Sequence, residues 1–396
     1  MNRFRIIYSL LYAVDFASQN NTLGLDVLGK TNVILICGPF RIEGRSFKMT
    51  KRILALGVIS IAVGFGQNAG RGGRGGAPAP PPEPGTAKER QLWAYDVKPV
   101  ANYAPPKTPW GDPDLQGIWP INHLIAVPLT RPKQYGDRLY RTDQEFAALT
   151  ARARGTGPVP DRDYPDRLMH QMSLIVDPKD GQFPELTEYG KKLQAEMKSS
   201  YKPGQTVFDA IEDFSAWDRC ITRGMPVSME PRNYNNGIRI MQSPGYVMIL
   251  VEMAHEVRVV PIGMPPLDSE IKEWLGESRG HWEGNTLVVE TKNFNGLVGH
   301  TSAGVPGSPG PLQPETPNMK ITERFTRVAP DTIEFTMKVE DPTVLATGSY
   351  TVAYPMYLDN KYEMYEYSCH EGNTAVRNYI ETSRFERTHP KAAEKK

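Results

Sequence analysis

Residues 320–340 read KITERFTRVAPDTIEFTMKVE, and this stretch decides the predicted fold class. Apolar and polar side chains alternate along its second half. The alternating apolar residues are Ile333, Phe335, Met337 and Val339. Such alternation is typical of a β-strand with one face in a core. Because turn-forming residues at 329–331 separate the two halves, the stretch predicts an antiparallel β-hairpin.

A three-residue loop at 329–331 gives this hairpin a register that matches apolar with apolar residues better than a two-residue loop does. The predicted pairs are Ile321 with Val339, Glu323 with Met337, Phe325 with Phe335 and Arg327 with Ile333. This register places Glu323 on the apolar face, where a carboxylate needs a partner or a raised pKa. Arg258, Arg279 or a histidine could be that partner. In the alternative, the strand lies at an edge and Glu323 reaches water.

Further hairpins are predicted on both sides of this one. Gly284-Asn285 suits a two-residue turn, which pairs Trp282 with Leu287 and His281 with Val288. The remaining β-rich runs are 246–253, 257–261, 350–353 and 361–370. The first two of these runs flank a tight connection and predict a hairpin of their own.

Helical signals are confined to an insert at about 140–218 and a short helix around 271–275. Thr142-Asp-Gln-Glu145 is a capping-box pattern and predicts the start of a helix. Helical spacing of apolar residues predicts a second helix over 186–197, and residues 209–217 could form a short third one.

These patterns predict a mainly β fold, in which an antiparallel meander forms a barrel or a strongly curved sheet and the helical insert lies on one side. A meander closes on itself or packs against a second layer, because an open edge invites aggregation. The sequence has no βαβ rhythm and no G-x-G-x-x-G after a strand, so a dinucleotide-binding fold is excluded.

The composition narrows the class of protein. The 396 residues hold 46 Lys and Arg against 45 Asp and Glu, and 39% of them are hydrophobic. This ordinary globular composition excludes a mainly disordered chain, a collagen-like repeat and a multi-span membrane protein. Residues 67–396 hold 38 Lys and Arg against 42 Asp and Glu, a net charge of −4. No nucleic-acid partner is therefore expected.

Residues 49–66 have the pattern of a signal peptide. Lys51 and Arg52 precede an apolar run at 53–65, which is shorter than the roughly 17–25 residues that a membrane span needs. We interpret Met49 as the start and 1–48 as an upstream translation artefact; the alternative is an unusually long basic region. The mature protein is expected in the periplasm or outside the cell, without a membrane span.

Residues 67–107 are predicted to be a Gly/Pro-rich linker. They include Arg71-Gly-Gly-Arg-Gly-Gly and a proline-rich run at 77–84. RGG segments also bind single-stranded nucleic acid, but two repeats without aromatic residues favour a spacer. Residues 108–390 are expected to form a single mainly-β domain that contains the helical insert.

Two cysteines, Cys220 and Cys369, remain after the predicted signal peptide. Two cysteines in an exported chain favour one disulfide. The competing interpretation is a nucleophilic pair of Cys369 and His370, but adjacent residues on a strand point to opposite faces. The disulfide is therefore the prediction.

Five segments of the chain form a specific combination. They are Thr108-Pro-Trp-Gly-Asp-Pro-Asp-Leu-Gln-Gly-Ile-Trp119, Trp217-Asp-Arg-Cys-Ile, the segment from Ser278 to Phe294, Thr322-Glu-Arg-Phe-Thr-Arg and Tyr367-Ser-Cys-His-Glu-Gly-Asn373. Over roughly 108–385 the chain resembles a widespread family of exported bacterial proteins, and this resemblance implies no catalytic assignment. Through Gly117-Ile-Trp119 and the hairpins after it, the chain has a weaker likeness to lipocalin-like barrels.

The first candidate site lies on the Gly284-Asn285 hairpin. In the predicted register His281 and Glu283 share the face opposite to Trp282. If the Trp282 face is the core, the second face is solvated. If the sheet encloses a polar lumen, His281 and Glu283 face a ligand.

The second candidate site is the polar segment that follows Cys369. His370 and Glu371 could act as acid–base groups or ligands, because imidazole titrates near neutrality; in the alternative they only belong to a turn. The candidate catalytic residues are therefore His281, His370 and Glu323. The candidate ligand-binding residues are Arg279, Glu283, Arg258, Glu371, Asn373 and Trp282.

Other chemistries have weaker support. Three imidazoles, those of His255, His281 and His370, would suit a late transition metal. The chain has no H-x-H or H-E-x-x-H spacing, so no metal site is predicted. The sequence does not indicate which cofactor, if any, the protein uses. Gly276-Glu-Ser-Arg-Gly280 has serine-hydrolase spacing but lacks the strand–elbow–helix context. The Gly- and Pro-rich residues 294–319, which include His300, are expected to form a lid.

The expected function is that of an exported protein which binds a small, partly apolar ligand in a barrel or curved-sheet cavity. A first alternative is a hydrolase, lyase or isomerase on the same scaffold that uses His/Glu acid–base or metal chemistry. A second alternative is a structural or interaction protein of the cell envelope. The sequence identifies neither the ligand nor the oligomeric state.

Overall fold

The computed structural model describes Asp96 and residues 100–154, 167–298, 300–301 and 312–389. The predicted signal peptide, the segment before it, most of the predicted linker and the middle of the predicted lid lie outside these residues. No helix within the described ranges combines the length and the apolar character that crossing a membrane requires.

Short strands dominate the described part of the chain. The strands are β1 (Gly117–Ile118), β2 (Ile175–Asp177), β3 (Ile238–Ser243), β4 (Tyr246–Val251), β5 (Glu256–Pro261), β6 (Glu277–Glu283), β7 (Thr286–Lys292), β8 (His300–Thr301), β9 (Leu312–Gln313), β10 (Lys320–Ala329), β11 (Thr332–Glu340) and β12 (Ser349–Tyr357). The α-helices are α1 (Asp143–Arg154), α2 (Glu188–Glu196) and α3 (Ala375–Thr388). The predicted mainly β class is confirmed.

The strands form two antiparallel sheets and one short ladder. The first sheet has the order β1-β3-β4-β5, the second has the order β2-β12-β11-β10-β7-β6, and β8 pairs with β9. A parallel bridge between Ile262 and Gly280 connects the end of β5 to β6. The predicted antiparallel meander is confirmed in β10, β11 and β12. The described strands do not close into a barrel.

Both predicted hairpin registers are confirmed. In the β6–β7 pair, His281 lies opposite Val288 and Trp282 lies opposite Leu287. In the β10–β11 pair, Glu323 lies opposite Met337 within the predicted register. A β-bulge between Arg327 and Ala329 accommodates the additional residue of the three-residue loop. Turn chemistry and alternation therefore sufficed to define these pairs.

One hydrophobic core joins the inner faces of the two sheets. It includes Trp119 after β1, Ile249 of β4, Phe325 of β10 and Tyr354 of β12, all of which are fully buried. Burying one such side chain is worth about 1.5–3 kcal/mol. These packed side chains fill the inner face in the described part of the chain, where the sequence predicted a ligand cavity.

The helical insert is shorter than predicted. α1 begins with the predicted capping box, in which Thr142 and Glu145 exchange backbone-to-side-chain hydrogen bonds of 2.8 and 3.2 Å. α2 lies where the second helix was predicted. The predicted third helix is wrong, because residues 211–213 form a single 3-10 turn. The carboxylate of Asp213 accepts from the backbone N–H of Asp209 and Ala210 and so favours a local turn.

Three further differences concern the ends of the β region. The helix predicted around 271–275 is wrong, since these residues form no helix, and Glu273 bridges to Phe294. The strand predicted at 361–370 is also wrong, because this segment is held by side-chain contacts instead of a strand partner. The helix α3 was not predicted. Its half-buried and buried residues follow helical spacing and are Val376, Ile380 and Ser383.

The packed region begins before residue 108. The Asp96 carboxylate accepts from the backbone N–H groups of His170 and Gln171, each at 2.9 Å. The Val100 N–H donates to the Val328 carbonyl at 3.1 Å. The last part of the predicted linker therefore lies against the β domain.

Candidate functional site

A cavity of about 780 Å³ lies beside the Cys220–Cys369 disulfide. Its walls come from segments that are far apart in sequence and from the first turns of α3. The lining residues outside α3 are Ser200, Tyr201, Trp217, Asp218, Cys220, Arg223, Tyr234, Asn235 and residues 366–369 and 371–373. Pockets for small molecules have volumes of about 300–1,000 Å³, so the cavity has room for such a ligand.

A reciprocally bonded turn presents Trp217 to the cavity. The Ser215 N–H donates to the Asp218 carboxylate at 2.8 Å, and the Asp218 N–H donates to the Ser215 hydroxyl at 3.2 Å. This is the capping-box arrangement of a Ser-x-x-Asp sequence. Cys220 follows with φ at 58°, in the left-handed region that often ends a helical turn. The turn thus fixes both the indole and the first sulfur of the disulfide.

The same carboxylate clamps a second wall. Asp218 also accepts from the Ser199 hydroxyl at 2.8 Å and from the backbone N–H and hydroxyl of Ser200. Serine donors therefore engage both of its oxygens. Asp218 lines the cavity as a structural anchor between 199–200 and 215–218.

The buried Glu256 of β5 holds the segment that carries Arg223. Its carboxylate accepts from the Thr222 hydroxyl at 2.6 Å, from the Arg223 backbone N–H at 2.8 Å and from the Ser228 hydroxyl. Three donors to one buried carboxylate fix the position of this loop. The neighbouring sheet therefore sets where the Arg223 side chain begins.

A second buried carboxylate, on the other side of the connection between β4 and β5, holds two more walls. Glu252, directly after β4, accepts from the Asn235 amide at 3.0 Å and from the Gly237 N–H at 3.0 Å. It also accepts from the Tyr362 hydroxyl at 2.8 Å and the Tyr365 N–H at 2.9 Å. Because one side chain satisfies all four donors, residues 361–370 run as a bonded loop instead of a strand.

The disulfide joins the two sides of the cavity. The Cα atoms of Cys220 and Cys369 are 5.6 Å apart and 149 residues separate them in sequence. The Asn373 amide donates to the Asp218 carbonyl at 3.3 Å and approaches the Cys220 sulfur at 3.1 Å. The predicted disulfide pairing is confirmed, and it brings the motif at 217–221 against the motif at 367–373.

Aromatic rings form much of the wall. The Tyr367 ring centroid lies 6.1 Å from that of Trp217 and 6.4 Å from that of Tyr234, with a 15° angle between the two tyrosine planes. Burial raises the pKa of Tyr367 well above its ordinary value, and the nearby Tyr234 adds to this. The Tyr367 hydroxyl is therefore a neutral donor and acceptor at neutral pH.

Arg223 is the cation of the cavity. Its guanidinium carbon lies 4.2 Å from the centroid of the Trp217 ring, a cation–π geometry. Burial lowers the pKa of Arg223, while tyrosine hydroxyls and then Glu256 act in the opposite direction. Arginine has so high an ordinary pKa that the group stays charged.

The candidate catalytic residues predicted from sequence do not come together. Glu323 is fully buried and forms a bidentate ion pair with Arg258, at 2.5 and 2.8 Å. Val289 of β7 lies between Glu323 of β10 and Gly280 of β6, so Glu323 is level with Gly280 in the sheet. His281 is the next residue along β6 and therefore points to the opposite face. The predicted partner Arg258 is thus confirmed, and the Glu323–Arg258 pair lies inside the core.

The outer face of the β6–β7 hairpin is solvated. His281 is exposed and its Nε2 lies 3.2 Å from Glu283, which also pairs with Arg324 at 2.7 Å. Trp282 packs against the core from the other face. Of the two faces considered from the sequence, the Trp282 side is therefore the interior one. Arg279 pairs with the nearly buried Glu277.

Two of the nominated ligand-binding residues do line the cavity, namely Glu371 and Asn373. The neighbouring His370 is exposed and is not part of the lining, and His255 is exposed at its hairpin tip. Within the described ranges, no group of three or more His, Cys, Asp and Glu side chains is arranged to hold a metal ion.

Sequence reasoning missed Arg223, Tyr201 and Tyr234 as site residues. The signal that could have found Arg223 is the disulfide itself, because pairing Cys220 with Cys369 brings their flanking residues together. Comparison of the chain with protein-family models, with curated proteins and with solved structures found no match. The interpretation of the cavity therefore depends on its geometry.

Proposed function

We propose that this is an exported protein that binds a small, partly apolar ligand in the cavity beside the disulfide, instead of inside the curved sheet. The observation that carries this proposal is a cavity of about 780 Å³ with aromatic walls and one buried cation. Concave sites with aromatic lining and a few placed polar groups are the usual form of small-molecule sites.

The way the walls are held also supports binding. Three carboxylates, those of Asp218, Glu252 and Glu256, fix the surrounding loops through hydrogen bonds from backbone and side chains. The disulfide adds a covalent connection. A preorganised site loses less conformational entropy when a ligand binds.

Export is supported by the disulfide together with the signal-peptide pattern at 49–66. Disulfides persist in oxidising compartments such as the periplasm and the extracellular space. A protein that depends on this bond for the shape of its binding site would therefore act there.

A blocking substitution tests the proposal. Ala375 lines the cavity at the start of α3, and Ala375→Trp would fill part of it. The matched control is Ala148→Trp, which puts the same side chain on an exposed position of α1. The measurement is saturation-transfer NMR of the oxidised protein with 2-naphthol, 2-naphthoate and 2-naphthylmethylamine.

We expect at least one of these probes to bind the wild type and the control equally and to bind Ala375→Trp at least tenfold more weakly. Thermal unfolding of both variants checks that they are folded. If none of the three probes binds the wild type, or if the blocked variant binds as well as the control, the proposal is wrong.

A further inference from the structure

The charge of Arg223 is not neutralised within the described part of the chain. Its Nε and Nη1 atoms are buried and donate to no hydrogen-bond acceptor there. No carboxylate of the described residues lies within 4.0 Å of its guanidinium group. A desolvated cation without a counter-ion is unfavourable. A buried, unpaired arginine at this position therefore needs a physical explanation.

The nearby carboxylates are engaged elsewhere. Glu256 is used by the three donors of the 222–228 segment. Glu230 is buried, which raises its pKa, and its nearest cation is Arg232 at 3.9 Å. Asp218 is occupied by its serine donors. Arg223 is left with the face of Trp217 on one side and the cavity that it lines on another.

We propose that the ligand is an organic carboxylate with an aromatic or similarly flat apolar body, and that Arg223 binds its carboxylate group. This inference rests on the proposed function of the cavity. The single positive charge of one guanidinium matches a monoanion, and a hydrogen bond from a guanidinium N–H to a carboxylate is strong because both partners are charged. Trp217, Tyr234 and Tyr367 supply the surfaces for the flat body.

Two acidic residues on the rim do not reverse this preference. Glu366 and Glu371 line the cavity but are exposed. Water and salt screen exposed charges strongly, whereas the buried guanidinium acts in a region of lower dielectric constant. Asp218 also lines the cavity, but serine donors engage its carboxylate. The buried guanidinium therefore favours a negatively charged ligand.

The experiment compares three probes of one shape on the oxidised full-length protein. 2-Naphthoate carries the carboxylate, 2-naphthamide is its neutral counterpart and 2-naphthylmethylamine is its cationic counterpart. Isothermal titration calorimetry measures each Kd for the wild type and for Arg223→Gln. The control is Arg219→Gln, which removes the same charge from the same turn at a position outside the cavity lining.

We expect the wild type to bind 2-naphthoate about 10- to 100-fold more tightly than 2-naphthamide, as for a hydrogen-bonded charge pair. Arg223→Gln should abolish this preference, and Arg219→Gln should retain it. If Arg223→Gln does not fold, the comparison of the three probes on the wild type still tests the preference for a carboxylate.

Equal binding of 2-naphthoate and 2-naphthamide, or tighter binding of the amine, would overturn the carboxylate inference while leaving the cavity as a binding site. A carboxylate preference that persists in Arg223→Gln would overturn the role of this residue. Binding of none of the probes would overturn the proposed function as well.

Discussion

The Arg258–Glu323 ion pair gives the sharpest stability prediction. Both side chains are almost inaccessible, with exposures of 4% and 0%, and two hydrogen bonds of 2.5 and 2.8 Å join them. Replacing only one partner by an apolar residue leaves a buried charge alone. We predict that Glu323→Met and Arg258→Met each lower the free energy of unfolding by about 3–5 kcal/mol.

The double variant should behave differently from the sum of the two. Arg258→Met combined with Glu323→Met removes both charges and fills similar volume with apolar atoms. Replacing a whole buried pair in this way is often neutral or stabilising. The double variant should therefore be more stable than either single variant, with a coupling free energy of at least about 3 kcal/mol.

Equilibrium urea unfolding, followed by circular dichroism and tryptophan fluorescence, measures these free energies. A control pair is Glu283→Met and Arg324→Met, because these partners lie at the similar distance of 2.7 Å but are exposed. Its coupling should stay below about 1 kcal/mol. Additive losses at Arg258 and Glu323, or a coupling no larger than that of the exposed pair, would refute the reasoning.

Three further predictions concern pH, redox state and helix capping. Burial lowers the pKa of His123 from 6.5 to about 4. The stability that the neutral imidazole contributes is therefore complete above pH 6.5 and is lost as the pH falls toward 4. His123→Gln should remove about 3 kcal/mol of that acid-induced loss in pH-dependent urea titrations, and an unchanged pH profile would contradict this. Reducing the disulfide should destabilise the protein by up to about 4–5 kcal/mol and weaken 2-naphthoate binding; binding that is insensitive to reduction would refute its role in the cavity. Thr142→Ala should cost about 1 kcal/mol through loss of the α1 cap, and a melting temperature identical to that of wild type would argue against it.

The strand pairing could be predicted from sequence where turn and alternation agreed. Gly284-Asn285 set one register and the alternation around Phe335 set the other. The failure at 361–370 has a physical reason. Its β-rich composition suggested a strand, but Glu252 binds the backbone of Tyr365 and the hydroxyl of Tyr362. A contact with a carboxylate that is distant in sequence cannot be read from the local pattern of apolar and polar residues.

The candidate site was only partly predictable. The disulfide pairing followed from cysteine counting, and Glu371 and Asn373 were nominated from the motif after Cys369. Arg223 was missed because the sequence does not show that its guanidinium lies in the folded protein without a hydrogen-bond acceptor among the described residues. His281 and Glu323 were both nominated as candidate catalytic residues, but β7 lies between their strands and the pleat places them on opposite faces of the sheet.

The central claim is that the cavity beside the disulfide is the binding site, and a crystal structure of the oxidised protein with 2-naphthoate tests it most directly. The expected result is a naphthyl ring against Trp217 and Tyr367, with the carboxylate within hydrogen-bond distance of the Arg223 guanidinium. A ligand bound inside the curved sheet, or bound elsewhere on the surface with this cavity unchanged, would contradict the claim.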